Sequence, residues 1–261
     1  MSTAFLEITN GVAVPRERIP SLTFDTFRQE ALSIAESGGK VVHFFGYQED
    51  DTVKLMAVLR TDKLWVAVCD APDVYPAMSG QSEPFHMFER EIAEQFGIRP
   101  EGHPWLKMVR YHPNYMNKVD VFKNNYDDDI PGNYDYYRVE GQEIHEVAVG
   151  PVHAGVIEPG HFRFNCIGER VLNLEIQMGY QHRGIETLIP QVKTKRLPLL
   201  AESIAGDTTV GHSLCMAQAM EALSDVKPDR GAHIIRTIAF ELERIQNHVG
   251  DPVSYTHLTL P

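Results

Sequence analysis

The 261-residue sequence has only three cysteines, Cys69, Cys166 and Cys215, and they lie far apart. An odd number of widely spaced cysteines does not form a disulfide framework, so we expect reduced thiols and a cytoplasmic setting. No apolar run approaches the roughly 20 residues of a membrane-spanning helix. The amino terminus lacks the basic and apolar segments of a secretory signal. Any membrane association is therefore expected to come through partner subunits.

Basic residues are also scarce. The chain has 24 Lys and Arg against 36 Asp and Glu, which gives a formal net charge of −12 at pH 7. Contacts with nucleic-acid phosphates need clustered positive charge, so this balance argues against a nucleic-acid partner. It argues against direct adhesion to anionic lipid for the same reason. The length allows one or two domains with cores of their own.

The first part of the chain combines helical and strand periodicity. Apolar residues recur near helical spacing from Thr23 to Gly38, which predicts a helix. A second helix is predicted from Pro84 to Phe96, with Ser82 ahead of it and Gly97 at its end. Between them we predict strands at Lys40–Gly46, Val53–Arg60 and Lys63–Asp70. These elements predict an α+β fold.

A polar, acidic stretch at residues 124–133, with proline and glycine, is typical of a linker. Beyond it we predict strands at His145–Val149 and within Arg163–Met178, and helices at Leu188–Lys195, Val210–Leu223 and Arg230–His248. We therefore expect a first domain at residues 1–123, a linker at 124–142 and a second domain at 143–251.

Two motifs lie close together in the first domain. Residues 88–98 read FEREIAEQFGI, and residues 102–106 read GHPWL. Taken alone, the first motif favours an amphipathic helix with a solvated charged face. Together the two motifs resemble the signature of the 30 kDa subunit of complex I. That resemblance implies an α/β docking and assembly domain with no cofactor.

Ionisable residues are concentrated between glycines in the second domain. Residues 150–155 read GPVHAG, residues 158–164 read EPGHFRF and residues 179–186 read GYQHRGIE. Turns of this kind often carry proton and electron chemistry. The run resembles the start of the large subunit of membrane-bound nickel–iron hydrogenases and of the homologous 49 kDa subunit of complex I. The chain thus resembles a fused 30 kDa/49 kDa-type subunit of the formate hydrogenlyase and hydrogenase-4 family.

The resemblance implies roles for four residues. His153 matches a loop histidine that points toward the quinone head group in the complex I relatives, and a neutral imidazole can donate a hydrogen bond and pass a proton. His182 and Arg183 would lie near the iron–sulfur cluster of an adjacent small subunit, where an arginine raises the reduction potential. Glu186 belongs to an Arg-Gly-x-Glu motif, and a glutamate in a partly dry site suits proton relay.

Simpler interpretations of these residues stay open. His153 would cap a turn, and Arg183 would form a surface salt bridge with Glu186. Gly184, between the last two, favours the functional interpretation because it suggests a close backbone approach. Glu243 and Asn247, in the last predicted helix, are either functional or a solvated pair.

The metal ligands of the family are missing. Catalytic large subunits carry Cys-Gly-x-Cys ahead of His-Ser, and the two cysteines bind nickel. Aligned on His212 and Ser213, this sequence has Ala205 and Thr208 at those positions. A methyl group cannot bind a metal, and a neutral hydroxyl is a poor substitute for a thiolate. We therefore expect no metal ligand and no nickel–iron centre.

The resemblance implies a peripheral subunit of a complex I-like membrane oxidoreductase, at the cytoplasmic face of the cell membrane. Electrons would come from the cluster of an iron–sulfur small subunit, with a quinone or another acceptor as substrate. A ferredoxin-like subunit and antiporter-like membrane subunits would be further partners. Any nicotinamide would bind another subunit, since no Gly-x-Gly-x-x-Gly motif follows a predicted strand in this sequence. The expected catalytic residues are His153, His182, Arg183 and Glu186, and the expected cofactor-binding residues are His153, Arg183 and His212.

Two alternatives remain, a catalytic nickel–iron hydrogenase with an unusual ligand set and a non-catalytic assembly scaffold. The resemblance covers residues 24–251 and includes only the opening part of the second domain, a small sheet with helices. We therefore expect the chain alone to be inactive. Residues 252–261 resemble nothing in the family, and we expect them to be a non-native tail.

Overall fold

The computed structural model describes residues 3–116, 120–122, 136–152 and 159–258, with the backbone alone at 251–258. The chain divides into two compact units, Met1–Asp135 and Tyr136–Pro261. Helices and strands occur in both units, which confirms the predicted α+β class. The limits of the family domains and the origin of the tail stay predictions.

A five-stranded sheet forms the centre of the first unit. Its strands are β1 (Leu6–Ile8), β2 (Ser21–Leu22), β3 (Lys40–Glu49), β4 (Thr52–Arg60) and β5 (Leu64–Asp70). The order is β1-β5-β4-β3, with β2 pairing parallel to β5. The three longer strands confirm the predicted ones. The two short strands were not predicted, because two or three residues carry no readable period.

Two helices pack beside this sheet. Helix α1 (Phe24–Glu36) begins at Thr23, whose hydroxyl accepts a hydrogen bond from the Thr26 N–H. Its Phe27 is fully buried and packs near Phe44 of β3, with 6.1 Å between ring centroids. Helix α2 (His86–Phe96) ends at Gly97, which adopts the left-handed conformation favourable to glycine. Both predicted helices are confirmed.

Three of the four charged residues of α2 are buried, so the interpretation as a solvated charged face is wrong. Glu89 and Glu94 are fully buried, and Arg90 is 7% exposed. Glu94 accepts three hydrogen bonds of 2.6 to 2.9 Å from the backbone N–H groups of Val109, Arg110 and Tyr111. Glu89 accepts two, of 2.7 and 3.0 Å, from those of Met78 and Ser79. The helix therefore holds the loops on either side of it through charge-assisted hydrogen bonds.

The Gly-His-Pro-Trp turn packs against the same helix. The Arg90 guanidinium donates to the carbonyl oxygen of Lys107 at 2.7 Å and lies 5.0 Å from the Trp105 ring centroid. Two short parallel strands, β6 (Val74–Pro76) and β7 (Arg99–Glu101), lead into this region. The helix and the turn are thus one packed structural unit.

The second unit begins with a three-stranded antiparallel sheet. Its strands are β8 (Ile144–Val149), β9 (Gly160–Ile167) and β10 (Arg170–Met178), in the order β10-β9-β8. The strands predicted here are confirmed. The segment predicted at Arg163–Met178 is a hairpin whose turn contains Gly168 at a φ of 54°.

Four helices follow, α3 (Ile185–Leu188), α4 (Leu197–Glu202), α5 (Thr209–Leu223) and α6 (Arg230–Leu258). The predictions of α5 and of the start of α6 are confirmed. The helix predicted at Leu188–Lys195 is wrong, because two 3-10 turns flank an extended Val192 there. Pro190 lacks the N–H that a continuing helix needs. No helix within the described part of the chain is long and apolar enough to span a membrane.

Helix α6 extends further than predicted. The sequence pattern ended it at His248, whereas its backbone remains helical to Leu258. The residues expected to be a non-native tail thus begin inside this helix.

Candidate functional site

The structure places the predicted site residues unevenly. His153 lies outside the described residues. His182, Arg183 and Glu186 are all exposed, in the turn after β10 and the first residues of α3. His212 is half-buried in the first turn of α5.

The turn before α3 depends on left-handed backbone conformations. Gly179, Tyr180 and Gly184 have φ angles of 146°, 63° and 66°. A Cβ atom added to Gly184 would meet no described atom of this chain within 4 Å. The close backbone approach expected at Gly184 is therefore wrong within this chain, and the glycine is favoured by its positive φ.

Arg183 connects this turn to the loop that precedes α5. Its Nη1 atom donates a hydrogen bond of 2.8 Å to the carbonyl oxygen of Ile204. The alternative of a salt bridge between Arg183 and Glu186 stays a prediction. Glu186 is not buried, so this chain alone does not supply the partly dry environment expected around it. The guanidinium brings the turn at residues 179–186 beside the loop that contains Ala205 and Thr208.

We call residues 204–211 the α5 loop. It consists of Ile204 and Ala205, a 3-10 turn at Gly206–Thr208 and the first three residues of α5. Two residues of α6 hold it. Glu243 accepts hydrogen bonds from the N–H groups of Val210 and Gly211, at 2.6 and 3.1 Å, and Asn247 donates to the Asp207 carbonyl at 2.7 Å. The sequence singled out both α6 residues but did not indicate these partners.

The side chains of the α5 loop do not fit a nickel–iron centre. Ala205 and Thr208, which the motif resemblance aligns with the family's cysteines, provide a methyl group and a neutral hydroxyl and no thiolate. The Thr208 methyl carbon would lie 2.8 Å from a Cβ atom added to Gly211, so it faces that glycine closely. Among the described residues, no group of three or more His, Cys, Asp or Glu could hold a metal ion.

The three cysteines are free thiols, as the sequence predicts. Cys69 and Cys166 are buried, and Cys215 is exposed on α5. Burial raises the pKa of Cys69 to about 12, so its thiol stays protonated and unreactive at neutral pH.

A buried histidine contacts the start of the Gly-Pro-x-His segment. His161 of β9 is 8% exposed, and its Nδ1 atom lies 3.2 Å from the carbonyl oxygen of Gly150. Its ring packs against Tyr136, whose hydroxyl donates at 2.7 Å to Gln177, the residue opposite His161 on β10. The sheet therefore fixes the point from which that segment leaves β8.

Comparison with known proteins gives the same family as the motifs. The chain is 24% identical to hydrogenase-4 component G of Escherichia coli over 201 residues, which is 72% of this chain and 36% of that protein. It is 31% identical to the alpha subunit of the membrane-bound hydrogenase of Pyrococcus furiosus over 123 residues, 44% of this chain and 29% of that protein.

A third relative comes from a quinone-linked enzyme. The chain is 25% identical to the C/D component of the NADH-quinone oxidoreductase of Phocaeicola vulgatus over 186 residues, 62% of this chain and 35% of that protein. The chain is a relative of the complex I-like, group 4 hydrogenase large subunits. No family model matches it. It spans only about a third of the length of these three relatives, from 29% to 36%.

Proposed function

We propose that this chain is a peripheral subunit of a complex I-like membrane oxidoreductase, at the cytoplasmic face. It would couple electron transfer from a partner's iron–sulfur cluster to quinone or proton chemistry. The hydrogen bond from Arg183 to Ile204 carries the proposal, because it joins the proposed electron-transfer turn to a loop whose thiolates are missing. The Arg183 guanidinium and the α5 loop can take part in charge transfer and hydrogen bonding although the loop supplies no nickel ligand.

Each proposed residue has a separate task. Arg183 would place a fixed positive charge near the partner's cluster and favour its reduced state. His182 precedes it in the same turn, and Glu186 would exchange protons once a partner covers it. His153 would donate a hydrogen bond to a quinone oxygen and pass a proton. His212 would contribute to cofactor binding from the first turn of α5.

Exposed apolar side chains support a place in an assembly. One stripe along α6 has side chains that are 49 to 69% exposed, at Ile234, Ile235, Ile238, Leu242, Ile245 and Val249. One face of the sheet in the second unit exposes Val147, Val149, Leu174 and Ile176. Contiguous apolar surface of this kind marks sites of protein contact. The iron–sulfur small subunit, a ferredoxin-like subunit and antiporter-like membrane subunits are the partners we propose.

Replacement of the site residues in the assembled complex tests this function. We expect Arg183→Ala, Glu186→Gln and His153→Ala each to lower the rate of quinone reduction by at least about tenfold. The last two variants remove a group that transfers protons, and the first removes the fixed charge near the partner's cluster. Arg244→Ala is the matched control, because Arg244 is exposed and pairs with Glu241 on its own helix. Unchanged rates in all three site variants would contradict the proposed function.

Ala205 and Thr208 favour this function over a hydrogenase. A catalytic hydrogenase with an unusual ligand set would evolve or consume hydrogen in the purified complex and would contain nickel. A pure scaffold would keep full turnover in the site variants. It would lose assembly when the buried carboxylates of α2 are replaced.

A further inference from the structure

Glu243 joins helix α6 to the start of helix α5. Its carboxylate is buried, 9% exposed, and accepts two backbone hydrogen bonds and one from the Thr209 hydroxyl at 3.2 Å. The first N–H groups of a helix have no partner within that helix. Glu243 lies 32 positions after Gly211 in the sequence and accepts hydrogen bonds from two of those groups.

Asn247 acts one helical turn further along α6. Residues four apart lie on the same face of a helix, so Glu243 and Asn247 can both form hydrogen bonds with the α5 loop. Glu243 accepts from backbone N–H groups at the end of the loop, whereas Asn247 donates to the Asp207 carbonyl near its middle, at 2.7 Å. Hydrogen bonds of opposite polarity thus fix two points of the loop.

Close packing supports the same arrangement. A Cβ atom added to Gly211 would lie 2.8 Å from the Thr208 methyl, 3.2 Å from the Phe240 ring and 3.5 Å from a Glu243 oxygen. The first two contacts are tighter than side chains normally allow. Gly211 therefore permits α5 to begin directly against α6.

We propose that Glu243 is a positioning residue for the α5 loop and, through the Ile204 carbonyl, for Arg183. Ala205 and Thr208 cannot anchor the loop to a metal, and Glu243 holds it with hydrogen bonds from the neighbouring helix. The effect of Glu243 on turnover rests on the proposed function, whereas its effect on the conformation of the α5 loop does not.

Two variants and a matched control separate this role from a general loss of helix stability. Glu243→Ala removes every acceptor. Glu243→Gln keeps the shape and one oxygen but presents an NH₂ group to one of the backbone N–H donors. Glu241→Ala is the control, because Glu241 lies two residues earlier on α6, is exposed and bonds to Arg244 on the same helix.

Hydrogen exchange in the assembled complex measures the loop directly. We expect the amides of Val210 and Gly211 to exchange roughly tenfold to a hundredfold faster in Glu243→Ala, since hydrogen bonds to charged groups are lost. Glu243→Gln should lie between that variant and the wild type, and Glu241→Ala should match the wild type. Exchange at the wild-type rate in Glu243→Ala would overturn the proposal. If that variant fails to assemble, Glu243→Gln is compared with the wild type and Glu241→Ala in its place, and exchange at the wild-type rate in Glu243→Gln would then overturn the proposal.

Quinone turnover in the same complexes tests the effect on Arg183. We expect a lower kcat in Glu243→Ala, partial rescue in Glu243→Gln and little change in the KM of the electron donor. Faster loop exchange with unchanged kcat would overturn the positioning of Arg183. If Arg183→Ala itself leaves turnover unchanged, the proposed function fails, while the exchange measurement still decides the role of Glu243 in the loop.

Discussion

The guanidinium of Arg183 donates to the carbonyl oxygen of Ile204 at 2.8 Å, across 21 positions of sequence. This contact places the exposed turn after β10 beside the α5 loop. Glu243 and Asn247 of α6 hold the same loop. One hydrogen-bonded structure therefore joins Arg183, the α5 loop and α6, and His212 follows this loop directly.

Removal of the Arg183 charge should lower the midpoint potential of the partner's iron–sulfur cluster. Arg183→Ala removes a positive charge that favours the added electron, and we expect a fall on the order of tens of millivolts. Redox titration followed by electron paramagnetic resonance measures it. Arg183→Lys keeps the charge and serves as the control, so an equal fall in both variants would mean that charge is not the cause.

Restored thiols should create a metal-binding pair in the α5 loop. We expect Ala205→Cys with Thr208→Cys to bind Co²⁺ and to give sulfur-to-metal charge-transfer absorption, because soft thiolates bind such ions strongly. Both should be made in a Cys215→Ser background, since Cys215 is exposed. The Cys215→Ser chain without the new thiols is the reference. An identical spectrum in the two proteins would show that these positions do not converge on one ion.

Replacement of Glu94 should destabilise the first unit strongly. Glu94→Gln puts an amide against three backbone N–H donors, and we expect a loss of about 2 kcal/mol in the free energy of unfolding. Urea unfolding followed by circular dichroism measures it. Glu91→Gln is the control, because Glu91 is partly exposed and pairs with Arg110, so it should cost less than about 1 kcal/mol. Equal losses would contradict the role assigned to buried charge.

The ion pair between α5 and α6 should make stability depend on pH. The Arg236 guanidinium hydrogen-bonds to Glu221 and lowers the pKa of that carboxyl below its usual range. A depressed carboxyl pKa stabilises the fold above the unfolded-state pKa, and the stabilisation is lost as pH falls through the folded-state value. Both side chains are partly exposed, so we expect Arg236→Ala to cost less than about 1 kcal/mol at pH 7.

Chemical unfolding of wild type and Arg236→Ala at pH 7 and pH 3 measures this dependence. The difference between the two proteins should shrink at pH 3, where Glu221 is protonated to a greater extent. A difference that stays constant between the two pH values would show that packing of the arginine stem, and not its charge, is responsible.

Local pattern predicted the regular elements well. The strands β3 to β5 alternate or run apolar between clear turns, α1 has a capping threonine, and α2 ends at a glycine. The segment after α3 was predicted wrongly because its apolar spacing resembles a helix, whereas Pro190 and the extended Val192 interrupt it. The type of an element therefore follows from its local sequence where no proline or extended residue interrupts the pattern.

The contacts that form the candidate site are long-range. Glu243 binds residues 32 and 33 positions earlier, and no pattern around a glutamate on a helix indicates which backbone it will meet. Glu89 and Glu94 likewise look like solvated charges until their loops are in place. The roles predicted for Arg183 and for the positions of Ala205 and Thr208 come from motif resemblance, because periodicity carries no information about distant parts of the fold.

The most direct test measures quinone reduction and nickel content in the same purified complex. We predict quinone-reducing turnover without stoichiometric nickel, and loss of that turnover in Arg183→Ala but not in Arg244→Ala. Stoichiometric nickel together with hydrogen evolution, unaffected by Arg183→Ala, would contradict it.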